Sequence, residues 1–367
     1  MSKAPTLLQL GEFGAIDLLR QVLAGSNASG RRDLLELQDD AALFSIEPGR
    51  QVVATCDVQV SGRHFLPAAL SAQELGARAL TVNLSDLAAV GARPERVLIS
   101  LGLPGSFLVS DLRDLYRGII DAMAPHEMAV IGGNFTGMSE GSEWFIDMTV
   151  LGSVPDGGAL SRGGAHAGDV IAVTGSPGSS AAGLALVEHV LAPVCGTEPA
   201  APVSLGSARM SIRELADSRT WARELLDAYL RPRARVEAGR ILRGRASALI
   251  DISDGWRSDL GHLCRASRVR AVLDRPFPIS RALQEAASHL QIPIEEWLYG
   301  PSDDYELMMT VPPHAWDEVC SRLTEGGLPV HPIGTMHAGE AGIEATDDFG
   351  GDFQSGASGG WNHFHAD

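Results

Sequence analysis

Aspartates are the residues of this chain best suited to chemistry, and they recur in short motifs spread over most of its 367 residues. The densest is Asp251-Ile252-Ser253-Asp254-Gly255, which follows the apolar run Ala248–Ile250 and opens a helical pattern. Capping that helix accounts for one aspartate. Two carboxylates and a hydroxyl at a strand-to-helix turn also form an oxygen-ligand set suited to magnesium. Asn83-Leu84-Ser85-Asp86 sits in an apolar helical stretch, where a buried charge has to be paired or bound to a metal. Thr55-Cys56-Asp57 ends a strand pattern and is followed by His64, at the kind of strand end where α/β folds place ligand groups.

Other motifs carry two readings each. Asp39-Asp40 reads as a turn or helix cap, and Asp303-Asp304-Tyr305-Glu306 either as three further site carboxylates just before a strand or as a solvated acidic turn. Gly132-Gly133-Asn134 follows a strand pattern; its glycines would let backbone N–H groups approach phosphate oxygens, or simply make a turn. Arg162, in a glycine-rich connection, could clamp a phosphate or be a surface charge. Trp361 could stack on a flat ring or pin the tail to the core.

These groups need a framework, and the composition supplies a globular one: 45% apolar and 20% charged residues, with 41 glycines for tight turns. Against 46 acidic residues stand 29 basic ones, a net charge of −17. Such a charge repels nucleic-acid phosphates and acidic membrane surfaces, so neither is an expected partner. It would repel a polyphosphate too, unless bound divalent cations neutralise part of it. Cys56, Cys195, Cys264 and Cys320 are far apart and form no Cys-x-x-Cys pair, which fits a reducing compartment and neither zinc nor redox chemistry. Glu12, Asp17 and Arg20 interrupt the first residues in an amphipathic pattern unlike a secretory signal, and no apolar run of about 18 residues occurs. The expectation is a cytoplasmic protein.

Short β-branched or apolar segments predict strands at 51–55, 96–101, 128–131, 144–151 and 170–174, and further ones near Ala248, Val272, Glu306 and Pro332. Three-and-four apolar spacing predicts helices at 71–90, 108–124, 179–190, 236–242, 254–266 and 314–323. The glycine-rich passage 155–169 marks a boundary near residue 155. Two domains of mixed α/β (α+β) class are therefore expected, 1–155 and 156–367. Residues 192–218, rich in Ala, Pro and Ser, read as a long loop or insertion.

Taken in order, the motifs resemble those of the thiamine-monophosphate kinases, in the superfamily of aminoimidazole ribonucleotide synthetase and selenophosphate synthetase. The resemblance rests on Gly11-Glu12-Phe13, Asp39-Asp40-Ala41-Ala42-Leu43, Asp57 with Gly62-Arg63-His64-Phe65, and Ala79 through Ala89. It continues with Ser161-Arg162-Gly163-Gly164-Ala165, Gly168-Asp169, Val173-Thr174-Gly175, Asp251 to Gly255, Asp304-Tyr305-Glu306-Leu307 and Gly360-Trp361-Asn362-His363-Phe364.

What the resemblance implies is a two-domain aminoimidazole ribonucleotide synthetase-like fold, each domain a mixed sheet flanked by helices. The first domain would bind ATP and Mg2+ and form a homodimer; the second would lie on the substrate side. The reaction implied is transfer of the ATP γ-phosphoryl group to thiamine monophosphate. Metal ligands would be Asp40, Thr55, Cys56, Asp57, Asp86, Asn134, Asp251 and Asp254, with Asp57, Asp86 and Asp254 catalytic. His126, Gly133, Asn134, Arg162 and Ser253 would meet the nucleotide, and His64, Asp303 and Trp361 the substrate. Four positions depart from the family pattern: Asn134 stands for an aspartate and Cys56 for a threonine, Pro301-Ser302-Asp303 replaces Gly-Gly-Glu, and Gln38 replaces a glycine. Two alternatives keep the fold: a paralogue using ATP on another small substrate, and a nucleotide-binding relative without catalysis.

Overall fold

The structure is a computed structural model, described here over residues 4–24, 41–192, 205–346 and 349. The chain divides into two compact units: Met1–Leu84, Arg93–Asp156 and His189–Glu214 form one, and Ser85–Ala92, Gly157–Glu188 and Leu215–Asp367 the other.

The N-terminal elements are α1 (Leu7–Ala24), β1 (Arg50–Val60), α2 (Ala72–Ala89), β2 (Arg93–Pro104), α3 (Val109–Met123), β3 (Ala129–Met138) and β4 (Phe145–Pro155). Their four strands make a mixed sheet of order β1-β4-β2-β3, antiparallel except for the parallel β2–β3 pair. Strand alternation gives the sheet one buried face, with Val97, Ile99 and Leu101 of β2 and Ile146, Met148 and Val150 of β4 all but inaccessible. Each such side chain contributes roughly 1.5–3 kcal/mol by leaving water. A capping box opens α2: Ser71 N–H donates to Glu74 Oε2 at 3.0 Å and Glu74 N–H to Ser71 Oγ at 3.3 Å. Helices α2 and α3 cross backbone to backbone at Gly76 and Gly118, where a Cβ would overlap a carbonyl of the other helix.

From residue 170 onward come β5 (Val170–Thr174), α4 (Ser179–Leu191), α5 (Arg209–Ser218), α6 (Thr220–Leu230), α7 (Val236–Leu242), β6 (Ala248–Asp251), α8 (Trp256–Ser267), β7 (Arg270–Leu273), α9 (Arg281–Leu290), α10 (Ile294–Tyr299), β8 (Leu307–Val311), α11 (Trp316–Glu325), β9 (Val330–His337) and β10 (Gly342–Ala345). The six strands form a mixed sheet of order β10-β7-β9-β5-β8-β6, parallel only at β10–β7. Strands β5, β6 and β8 are buried along their whole length.

Both sheets are mixed and flanked by helices, as expected. Three expectations change. The strand read as ending at Thr55 runs on to Val60, so Thr55-Cys56-Asp57 lies inside β1 rather than at a strand end. The segment read as a loop over 192–218 contains helix α5, whose polar composition hid it because only Ile212 is buried; residues 193–204 lie outside the described residues. The strand ending at 131 instead runs on to Met138, so Gly132-Gly133-Asn134 lies inside β3 rather than in a loop after it. Among the described residues, no helix is long and apolar enough to cross a membrane.

Candidate active site

The second unit holds the densest acidic site. Asp251 ends β6 with 3% of its surface exposed, and Ser85 Oγ, from α2, donates to its Oδ2 at 2.7 Å. Burial, and then the charge of Asp86, push the Asp251 carboxyl up to about 6, against the Ser85 hydrogen bond and the positive charge of Arg162. After Asp251 the backbone is held stepwise. Ile252 N–H donates to the Glu306 carbonyl, and Tyr305 N–H to the Ile252 carbonyl, both at 2.8 Å. The next two amides, of Ser253 and Asp254, donate to Asp259 Oδ2 at 3.2 and 3.3 Å. Gly255 then turns the chain at φ 108° into α8, where a Cβ would come 2.7 Å from the Gly300 carbonyl oxygen. Trp256 follows, its indole N–H donating to the Leu298 carbonyl.

Asp259, on the first turn of α8, is pushed up to about 8 by burial first and then by the charges of Asp251 and Asp254. Asp86, Asp251, Asp254 and Asp259 thus form one repelling acidic set. Basic groups flank it. The His262 imidazole is held below its usual range by burial and by Arg265 and Arg162, opposed by Asp254. The carboxylates of Asp86, Asp251 and Asp254 with a serine hydroxyl beside them are the donor chemistry of a hard divalent cation, so these residues fit magnesium. Among the described residues no group of three or more His, Cys, Asp or Glu side chains could hold an ion by itself. A cation here would complete its shell with polyphosphate oxygens and water, as magnesium commonly does.

In the first unit, strand register separates residues expected to act together. Cys56 pairs with Thr149, and Asp57 with Met148, whose side chain is fully buried. Side chains alternate along a strand, so Thr55 and Asp57 share the face of Met148 and Val150, while Cys56 faces the other way. On that other face Cys56 Sγ lies 3.4 Å from Asp147 Oδ1 and accepts from Thr149 Oγ1 at 3.5 Å. Asp147 pairs with Ser100, and Ser100 with Asn134, which puts Asn134 on the Cys56 face at the opposite edge of the sheet. Side-chain direction in this sheet therefore puts Thr55 and Asp57 on one face and Cys56 and Asn134 on the other. Gly133 has a structural reason to be glycine: a Cβ would overlap the Ile99 carbonyl of the neighbouring strand.

The remaining candidates are placed as follows. His64 Nδ1 accepts the Val60 N–H at 3.0 Å, which leaves the ring proton on Nε2. His126 ends a single 3₁₀ turn between α3 and β3. Arg162 precedes Gly163 and Gly164, and its carbonyl accepts from Ser267 Oγ at 3.0 Å. Asp303 Oδ1 accepts from Ser180 Oγ at 2.6 Å. The Asp303–Glu306 segment is no solvated turn. Asp304 accepts the Gly178 and Ser180 amides at 2.7 and 2.9 Å, and burial pushes its carboxyl up to about 6. Glu306 accepts from Thr174 Oγ1 and forms a bidentate pair with Arg235. Asp39, Asp40 and Trp361 lie outside the described residues.

Comparison with known proteins bears on this geometry. The family description "AIR synthase related protein, N-terminal domain" matches residues 38–154, and "AIR synthase related protein, C-terminal domain" matches residues 166–345. The thiamine-monophosphate kinase of Escherichia coli (strain K12) is 35% identical over 319 residues, covering 86% of this chain and 88% of that protein. The chain belongs to the thiamine-monophosphate kinase family. A crystal structure of the family's member from Stenotrophomonas maltophilia K279a is 31% identical, covers 91% of this chain and 96% of its own, and has a TM-score of 0.73. AaThiL complexed with AMPPCP and TMP is 28% identical over 99% of this chain and all of that one, with a TM-score of 0.68. The two matched spans contain, respectively, the four-stranded and the six-stranded sheet. Within this member of the thiamine-monophosphate kinase family, Ser85 touches Asp251 and was noted only as part of the Asn83–Asp86 motif, while Asp147, Thr149 and Asp259 touch candidate residues yet were missed. Only Asp259 had a usable signal, an acid five residues after Asp254 in the first turn of a helix.

Proposed function

We propose that this protein is an ATP-dependent thiamine-monophosphate kinase, which passes the γ-phosphoryl group of ATP to the phosphate of thiamine monophosphate and releases thiamine diphosphate and ADP. The observation that carries it is the tethered acidic loop Asp251–Gly255, in a chain similar along its length to a kinase solved with AMPPCP and TMP. The bond between the γ-phosphorus and its bridging oxygen breaks, its electron pair leaving with ADP. A phosphate oxygen of thiamine monophosphate forms the new bond. That oxygen is already anionic, so no general base is needed, and the protein's part is positioning and charge neutralisation.

Magnesium, when bound, would neutralise polyphosphate charge. In the second unit Asp86, Asp251 and Asp254 would hold it, with Ser253 and Arg162 turned to phosphate oxygens. In the first unit Asp57 and Thr55 would act on one face of the sheet, and Cys56 and Asn134 on the other. Asp40 would complete the ligand set. His126 and Gly133 remain proposed nucleotide neighbours, and His64, Asp303 and Trp361 proposed substrate contacts. The domains proposed are 1–155 for ATP, magnesium and dimerisation and 156–367 on the substrate side, in a cytoplasmic protein.

A homodimer is part of the reading. The Cys56 face of the sheet leaves Val52 48% and Val58 40% exposed, an apolar edge that a second copy would cover. Asp57 and Asn134 lie on opposite edges and faces of one sheet, so a site using both would draw them from two copies. The test is incubation of the purified protein with ATP, magnesium and thiamine monophosphate. Thiamine diphosphate is the expected product, and its absence across a range of magnesium concentrations would sink the proposal.

A further inference from the structure

The loop from Asp251 to Gly255 is held residue by residue, and the middle of it hangs on one side chain. Asp251 belongs to β6, Ile252 is pinned to Glu306 and Tyr305, and Gly255 is pressed against the Gly300 carbonyl. The amides of Ser253 and Asp254 donate to neither strand; both reach the same oxygen, Asp259 Oδ2. Asp259 is 2% exposed, whereas Ser253 and Asp254 are half-buried. Two adjacent amides converging on one oxygen fix the orientation of both peptide planes, and with it the direction in which each Cβ leaves the backbone.

We propose that Asp259 is the positioning residue of this site, resting on the kinase reading above: by accepting both amides it aims the Ser253 hydroxyl and the Asp254 carboxylate at a magnesium-bound polyphosphate. Asp259 itself faces its own loop and does not ligate. An alanine removes the acceptor. Asparagine keeps a carbonyl oxygen at the same reach and puts an NH2 group where the second carboxyl oxygen was, so it should preserve the tether.

The experiment compares the full-length wild type, Asp259→Ala and Asp259→Asn by backbone hydrogen exchange at residues 253 and 254, with and without magnesium, and by magnesium activation of thiamine diphosphate formation. Asp259→Ala should speed exchange of these two amides and raise the magnesium concentration for half-maximal activity, each about tenfold, at an unchanged KM for thiamine monophosphate. Asp259→Asn should stay within about threefold of wild type on both readouts. A folded Asp259→Ala with wild-type exchange and activation overturns the proposal, as does an Asp259→Asn that loses as much as alanine. Should Asp259→Ala not fold, Asp259→Asn decides alone by the same limits. A wild type that makes no thiamine diphosphate removes the kinase reading but leaves the exchange measurement to judge the tether.

Discussion

Ser85→Ala tests the acidic site through the side-chain hydrogen bond that opposes repulsion at its buried end. Asp251 has a folded-state carboxyl raised from 3.8 to about 6. The folded chain therefore holds this proton more tightly than the unfolded chain. In the absence of divalent cations, stability is full below the unfolded pKa and falls as pH rises through the window between the two values. From the size of that displacement, the fall is on the order of 3 kcal/mol. Ser85 Oγ moderates it by donating to the charged form at 2.7 Å. Removing the hydroxyl costs about 2 kcal/mol at pH near 8, where Asp251 is ionised and the bond is charge-assisted, and about 1 kcal/mol at pH near 5, where the acid is neutral. The assay is urea unfolding of wild type and variant at those two pH values with a chelator present. A destabilisation that does not grow with pH would refute the reasoning, because it would mean that the hydroxyl does not meet the carboxylate.

Gly133→Ala should lose about 3 kcal/mol, since the new methyl meets a backbone carbonyl that can move only with its strand; thermal unfolding reads it, and an unchanged melting temperature would show that β2 and β3 are not so close. Arg235→Met leaves Glu306 buried without its cation and should cost about 3–5 kcal/mol, most of it recovered in the double variant Arg235→Met/Glu306→Leu; chemical denaturation of the three variants gives the comparison. Asn134→Asp should lower the magnesium concentration needed for half-maximal activity by about tenfold, as an anionic ligand replaces a neutral one; unchanged activation removes Asn134 from the proposed ligand set.

Much of the framework was legible because local chemistry suffices for it. Helix α7 falls at 236–242 as its apolar spacing indicated, and α2 lies within one residue of 71–90 at each end, where the Ser71–Glu74 box marks its start. Helix α5 was hidden by having a single buried residue, so its sequence shows no apolar face. The paired glycines at 132–133 were legible as a close approach; within the sheet a Cβ at Gly132 would meet the Leu98 side chain and one at Gly133 the Ile99 carbonyl, and no local signal distinguishes such an approach from one to a phosphate.

Sequence by itself determined the charge balance, the two-sheet framework and the clustering of candidate oxygen ligands at Asp251–Gly255, because composition, period and turn chemistry act over a few residues. Tertiary structure alone decided which candidate residues share a face. Strand parity turns Cys56 away from Asp57 although the two are adjacent in sequence. Packing brings Ser85 to Asp251 across 166 positions, and the fold of a single turn sets Asp259 under the backbone of Ser253 and Asp254. Side-chain direction and desolvation come from neighbours distant in the chain, and it is these that set how strongly each carboxylate holds its proton.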